Sequence, residues 1–89
     1  MKTKEYQFLI RGCSSIKDVQ EYIAEINGCE FCNKGAFHLK LRNIPVKQED
    51  FCTAIIEVKF KKNFDKRSFR KIADCPNCHG DRDVLILKG

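Results

Sequence analysis

Two stretches of the sequence share one spacing of cysteines: residues 29–35 read C-E-F-C-N-K-G and residues 75–80 read C-P-N-C-H-G. Two sulfurs separated by two residues can both reach one ion, because the chain between them folds into a tight turn. A glycine shortly afterwards lets the backbone curl so that its N–H groups point at the thiolates. Pro76 fixes one backbone angle inside the second turn. Together the stretches supply a tetrahedral set of thiolates that suits structural zinc: Cys29, Cys32, Cys75 and Cys78.

The two turns resemble the zinc knuckles of zinc ribbons and of rubredoxin-like sites, over about a dozen residues. Iron in place of zinc, and His79 in place of one cysteine ligand, are the alternatives. A closed site of four cysteines leaves no open position for water or substrate, so it stabilises and does not catalyse. A redox site of the thioredoxin kind requires its cysteines at a helix N-terminus, whereas here one pair follows a helix and the other precedes a strand. We therefore predict a protein that is not an enzyme.

The length of 89 residues predicts one domain, residues 1–89, near the lower limit for an unaided hydrophobic core. Too few consecutive apolar residues precede Arg11 for a secretory signal, and no run approaches the roughly 18 that span a membrane. Cysteine pairs of this spacing more often bind metal than form disulfides in reducing compartments. These features predict a soluble cytoplasmic protein.

Alternation of apolar and polar residues predicts strands over residues 5–11, 36–42 and 54–61, and the last two form a hairpin. Residues 83–88 are apolar on both faces, as in an interior strand. An apolar stripe predicts a helix that Ser15 and Asp18 cap and that ends at Asn27.

A second, short helix is predicted over residues 63–74, with Phe69, Ile72 and Ala73 on its buried side. The element order β-α-β-β-α-β predicts an α+β fold with an antiparallel sheet and two helices.

The alternative fold, a regular ferredoxin-like sandwich, predicts a different cysteine cluster. It separates the two cysteine pairs by roughly the length of a strand, about 17 Å, and gathers Cys13 and Cys52 with Cys75 and Cys78 instead. We favour the two-knuckle site, because four ligands in two knuckles are less expected by chance than two lone cysteines. That site requires the second helix to cross the end of the sheet, and it leaves Cys13 and Cys52 as small buried hydrophobic residues.

The net charge of +5 is concentrated: residues 59–71 carry seven cations and one acid, a net +6. Two cations of the preceding strand and one exposed aromatic residue add to these cations. Together they predict one continuous basic surface on the hairpin and the second helix. Its residues are Lys40, Arg42, Lys59, Lys61, Lys62, Phe64, Lys66, Arg67, Arg70 and Lys71. Phosphate backbones bind such surfaces by releasing counterions, which predicts a nucleic-acid-binding module. The alternative is a small adaptor or inhibitor that docks on an acidic protein through the same surface or an exposed strand edge. We expect neither a membrane nor a small-molecule substrate as its partner.

Overall fold

The computed structural model describes residues 2–61 and 66–87. The strands are β1 (Lys2–Arg11), β2 (Phe37–Leu41), β3 (Val46–Lys47), β4 (Phe51–Phe60) and β5 (Asp83–Leu87). The helices are α1 (Ile16–Asn27), α2 (Lys66–Arg70), α3 (Pro76–His79) and a 3₁₀ helix at Lys71–Asp74. The small α+β fold with an antiparallel sheet is therefore confirmed, although the second predicted helix is divided into short pieces. Within the described residues, no helix is both long enough and apolar enough to cross a membrane.

The strands form one antiparallel sheet in the order β2-β4-β1-β5, and β3 pairs with the beginning of β4. β1 and β4 pair along their full length, from Lys2 opposite Phe60 to Arg11 opposite Phe51. β2 pairs with the end of β4, so the predicted hairpin is present. The two-residue strand β3 was not predicted. β1 therefore lies beside the third long strand, as in the ferredoxin-like alternative.

One face of the sheet is covered by the helices. α1 buries Val19, Tyr22, Ile23 and Ile26 against this face. The helix begins as predicted, because the hydroxyl of Ser15 accepts a hydrogen bond from the backbone N–H of the third following residue. The apolar stripe of α1 thus fixes which side of the sheet becomes the core.

Phe69 anchors the second helical segment on the same face. Its ring centroid lies 4.7 Å from that of Tyr6, 5.2 Å from that of Phe37 and 5.8 Å from that of Phe60. Phe69 and Ile72 are fully buried, as predicted for this side of the segment. The segment was expected to cross the end of the sheet. That prediction is wrong, because Phe69 packs against rings on the buried face of the sheet.

β5 is an edge strand and not the interior strand that its composition predicted. It pairs with β1 alone among the described strands. Val84 and Ile86 face the core, whereas Leu85 and Leu87 on the opposite side are 50% and 39% exposed. The prediction of apolar residues on both faces of this strand is confirmed. The prediction that both faces are buried is wrong, because the outer face is exposed.

Cys13 and Cys52 form a disulfide that was not predicted. Both residues are buried, as expected, but their sulfurs are bonded to each other. The bond ties the turn after β1 to the start of β4, 39 residues along the chain. Closing a loop of this length stabilises a fold by about 4 kcal/mol in the chain-entropy account. The reducing compartment expected from the sequence stays a prediction.

Two asparagine side chains cover the free edge of β2. Asn33 accepts a hydrogen bond from the backbone N–H of Phe37 and donates one to its carbonyl, at 3.0 and 2.9 Å. Asn27 does the same for Leu39, at 2.8 and 3.0 Å. Each side-chain amide thus replaces one residue of a neighbouring strand, and the edge is protected from pairing with another chain.

Asn33→Ala is expected to lower the free energy of unfolding by at least about 2 kcal/mol, because unsatisfied buried polar groups cost about 1–3 kcal/mol each. Asn33 is 2% exposed and also donates to the carbonyl of Ile26, so three bonds are lost. Urea unfolding of the metal-loaded protein measures the change. The matched control is Asn77→Ala, on an exposed position of α3, for which we expect a change within about 0.5 kcal/mol. Equal stability of the two variants would contradict this role of Asn33.

Candidate metal centre

The first cysteine pair lies in the turn between α1 and β2. The backbone N–H of Cys32 points at the sulfur of Cys29, 3.5 Å away. Lys34 and Gly35 both have positive φ angles, 51° and 73°, which reverse the chain before β2 begins. Glycine adopts that conformation without strain, so the Gly of C-x-x-C-x-x-G is explained by the backbone.

The second cysteine pair surrounds one turn of helix. Cys75 precedes α3, Pro76 occupies its first position and Cys78 lies within it. The backbone N–H of Cys78 donates to the carbonyl of Cys75 at 3.1 Å, which brings the two side chains to the same side. Gly80, with φ of 57°, then turns the chain towards β5. The sequence predicts a turn for this stretch, and in the structure it forms one turn of helix.

The four cysteine sulfurs form one cluster. The Sγ atoms of Cys29 and Cys75 are 3.9 Å apart, and those of Cys32 and Cys78 are 3.5 Å apart. All four ligand atoms lie within 4.8 Å of one another. In a tetrahedral site with metal–sulfur bonds near 2.3 Å, neighbouring sulfurs are about 3.8 Å apart. The cluster predicted from the sequence is therefore formed, and it can hold a single metal ion.

The rival cluster of the ferredoxin-like alternative is not formed. Cys13 and Cys52 are bonded to each other, and Cys75 and Cys78 lie with the first knuckle. The two arrangements were judged incompatible because a full-length second helix would carry the second pair to the far end of the sheet. α2 has only five residues, and the 3₁₀ helix and α3 that follow change the direction of the chain. This shortening places the second pair beside α1 without altering the strand order.

Burial and hydrogen bonding act in opposite directions on the thiols. Donation from the backbone N–H of Cys32 lowers the pKa of the Cys29 thiol to about 6. Burial raises the pKa of Cys32 to about 12 and also raises the pKa of Cys78. The buried thiols therefore resist ionisation unless a cation compensates their charge. A bound metal ion supplies that charge and displaces the protons.

Arg82 connects the second knuckle to α1, and the sequence analysis did not identify it. Its guanidinium donates to both carboxylate oxygens of Asp18, with Nε 3.0 Å from Oδ2. It also donates to the carbonyl of Cys78 at 3.0 Å, and its charge lies 5.5 Å from the ring centre of Tyr22. The only sequence signal is an arginine shortly after the knuckle glycine. Asp18 was identified as a capping residue, but its second role depends on a contact 64 residues away.

Tyr22 and His79 lie near the cysteines without joining the cluster. The hydroxyl of Tyr22 is buried, and burial next to the cysteine thiols raises its pKa. Tyr22 therefore stays neutral and keeps its proton. Nδ1 of His79 lies 2.8 Å from the carbonyl oxygen of Gly80, and the four clustered ligands are all cysteines.

The cations predicted for partner binding lie on both sides of the sheet. Lys40 and Lys59 are exposed on the face away from the helices, because their strand neighbours point into the core. Arg67, Arg70 and Lys71 are exposed in the helical layer. Phe69 holds their helix on the core face, so the predicted cations lie on two faces of the sheet and the charge extends around the end where β4 stops. The single continuous surface stays a prediction.

Other predicted binding residues have individual environments. Arg42 forms ion pairs with Glu5 at 3.4 Å and Glu57 at 3.3 Å, which offset its charge. Lys61 is exposed and follows β4 directly. Lys62 and Phe64 lie outside the described residues, as does the side chain of Lys66 at the start of α2.

Comparison with known proteins finds no relative. No protein-family model, no curated protein and no solved structure matches the chain significantly. Function is therefore argued from the chain's own residues.

Cys29→Ser and Cys75→Ser are each expected to reduce the bound metal from one equivalent per chain to nearly none, because three thiolates do not complete the tetrahedron. Both variants should unfold at lower urea concentration, since metal binding contributes to folding. Metal analysis after gel filtration measures the first effect. The control, Cys13→Ser with Cys52→Ser, should retain its metal. Retention in Cys29→Ser together with loss in the control would contradict the assigned ligands.

Asp18→Asn is expected to cost about 1.5 kcal/mol at neutral pH, the lower end for hydrogen bonds to charged groups. The bonds from Arg82 hold the pKa of Asp18 below its ordinary value. A lowered pKa stabilises the fold above the unfolded value of about 3.9, and this stabilisation is lost as the pH falls through the folded value. The difference in unfolding free energy between wild type and variant should therefore shrink below about pH 4. A difference independent of pH would contradict the role of the charge.

Proposed function

We propose that the protein is a small zinc-stabilised domain that binds nucleic acid through cations at one end of its sheet, and that it has no catalytic role. The observation that carries the proposal is that positive residues of three separate segments lie at that end. The four-cysteine cluster joins the first knuckle to the chain that follows α2, and β4 is held by its pairing with β1 and β2.

The donor set favours zinc. Four cysteine sulfurs at tetrahedral separations match the ligands and geometry of structural zinc sites. When bound, the ion supplies the positive charge that keeps the buried thiolates ionised. Cys29, Cys32, Cys75 and Cys78 occupy every position of a four-coordinate ion, so no position remains for a substrate. Metal analysis of the purified protein distinguishes zinc from iron.

The cations gather where β1 begins and β4 ends. Lys59 lies opposite Thr3, and Lys61 follows two residues later. The Nζ atom of Lys61 reaches the first knuckle, because it lies 3.7 Å from the place where a side chain on Gly35 would begin. Lys34 belongs to the same knuckle. Arg67 lies two residues before Phe69, whose ring packs on this end of the sheet. We call Lys34, Lys59, Lys61 and Arg67 the basic end.

The exposed acids of α1 lie away from the basic end. Glu21 and Glu25 are on this helix, whereas Glu30 is exposed in the first knuckle, which also contains Lys34. Glu5 and Glu57, the acids nearest the basic end along the sheet, share the guanidinium of Arg42. This separation gives the molecule a positive end and an acidic helix. A phosphate backbone would be drawn towards the first and repelled from the second.

An acidic protein partner would use the same cations, so charge alone does not separate the two functions. The two functions are separated by how the affinity depends on salt and on the length of a nucleic acid. Fluorescence anisotropy of the zinc-loaded protein with labelled single-stranded RNA and duplex DNA, at low and physiological salt, is the deciding experiment. We expect binding whose logarithm falls linearly with the logarithm of the salt concentration.

Lys59→Gln with Lys61→Gln is expected to reduce the magnitude of that salt slope by about 1.4–1.8, because each lost phosphate contact removes about 0.7–0.9. The matched control is Lys17→Gln with Lys47→Gln, which removes the same charge at the opposite end of the sheet and should leave the slope nearly unchanged. Equal effects of the two pairs would show that net charge alone drives binding. Absence of binding at low salt would overturn the proposal in favour of an acidic protein partner.

A further inference from the structure

The face of the sheet away from the helices carries a band of aliphatic side chains. Leu9 lies at the same level as Thr53 and Leu85 on the neighbouring strands, and Gln7 at the same level as Ile55 and Leu87. Val46 lies opposite Thr53 and continues the band onto β3. Residues directly opposite each other share a face, so these side chains are adjacent. We call the following residues the aliphatic band: Leu9, Val46, Ile55, Leu85 and Leu87.

The apolar side chains of the aliphatic band are exposed, although a solvated sheet face normally carries polar side chains. Val46 is 49% exposed, Ile55 40%, Leu85 50% and Leu87 39%. Antiparallel sheets with one solvated face normally place polar residues there. A contiguous exposed apolar patch bordered by polar residues is typical of an interaction site.

We propose that this face is the interface of a homodimer, in which the aliphatic bands of two copies pack against each other around a twofold axis. This role goes beyond the binding of nucleic acid at the basic end. An isologous contact needs a surface that is complementary to itself, which an apolar patch provides.

The charges that border the band permit a second copy to approach. On one side Arg42 pairs with Glu5 and Glu57, and Lys40 lies opposite Glu57 on the neighbouring strand. On the other side Arg11 lies opposite Asp83 in the register of β1 and β5. Opposite charges thus offset each other on both borders, although the whole chain carries +5. Two copies therefore meet without the repulsion that their net charge would produce elsewhere.

The composition of the band disfavours nucleic acid as its occupant. Unpaired bases bind protein sheets by stacking on aromatic rings or on guanidinium planes. The aliphatic band contains no ring, and of the two guanidinium groups that border it, that of Arg42 is engaged by two carboxylates. Apolar packing against a second copy satisfies the exposed leucines, whereas a phosphate backbone does not.

The edges of the sheet are less available than its face. Asn33 and Asn27 bond the free backbone groups of Phe37 and Leu39 on β2. On β5, the guanidinium of Arg70 donates to the carbonyl of Ile86 at 3.3 Å. Strand-to-strand addition is blocked at these positions. This arrangement disfavours the exposed strand edge that the sequence analysis considered for an adaptor, and it favours contact through the face.

The spacing of packed sheets suits a dimer. Two sheets that pack face to face lie about 10 Å apart, a spacing that leucine and isoleucine side chains fill. The helices remain outside the contact.

Sedimentation equilibrium of the metal-loaded full chain, over a wide range of concentration, tests the proposal. We expect a dimer with twice the chain mass of 10.3 kDa. Leu85→Lys should raise the dimer dissociation constant by about a hundredfold or more, because symmetry places each substitution in the interface twice. The matched control is Phe31→Lys, which adds the same charge at a 75% exposed apolar residue of the first knuckle and should leave the dissociation constant unchanged.

Unchanged metal content and circular dichroism establish that Leu85→Lys folds. If Leu85→Lys does not fold, Ile55→Thr should also raise the dimer dissociation constant, because strands tolerate threonine. A wild-type chain that stays monomeric at every concentration would overturn the proposal and assign the face to a different protein. A dimer that Phe31→Lys dissociates, or that neither band variant weakens, would overturn it by placing the interface elsewhere.

Discussion

The convergence of four cysteine sulfurs from two turns, separated by 46 residues, is the constraint on which the rest of the structure depends. It joins the turn after α1 to the turn before β5 and so fixes the helical layer on the sheet. A chain of 89 residues has a small core, and a metal ion held by the four cysteines would add stability that burial alone does not supply. Arg82 supports the same junction by bonding Asp18 and the carbonyl of Cys78.

Much of the fold and the whole cysteine cluster were predictable because local patterns determine them. Alternating residues identified the long strands, and the stripe with its Ser15 cap identified α1. The spacing of each cysteine pair requires a tight turn, whatever the surrounding fold. The choice between the two clusters needed one further fact, the length of the second helix. The path of that segment also follows the packing of Phe69 among four rings, and packing is not visible in the sequence.

The features that the sequence did not reveal all depend on contacts between distant residues. The disulfide joins residues 39 positions apart, and the strand order alone brings them together. Asn27 and Asn33 read as helix-end and turn residues, yet their amides complete the edge of β2. The apolar outer side of β5 was read as burial, and the structure leaves it exposed on an edge strand. This difference is the observation from which the dimer interface is proposed. The aliphatic band lies on the face of the sheet away from the helices, whereas the four cysteines lie in the helical layer.

X-ray absorption at the zinc K-edge of the purified protein shows whether the four cysteines close the metal centre, because it counts the atoms that bind the metal. We expect four sulfur neighbours at about 2.3 Å and no nitrogen or oxygen neighbour. A first shell that contains nitrogen or oxygen, or fewer than four sulfurs, would contradict a centre closed by Cys29, Cys32, Cys75 and Cys78.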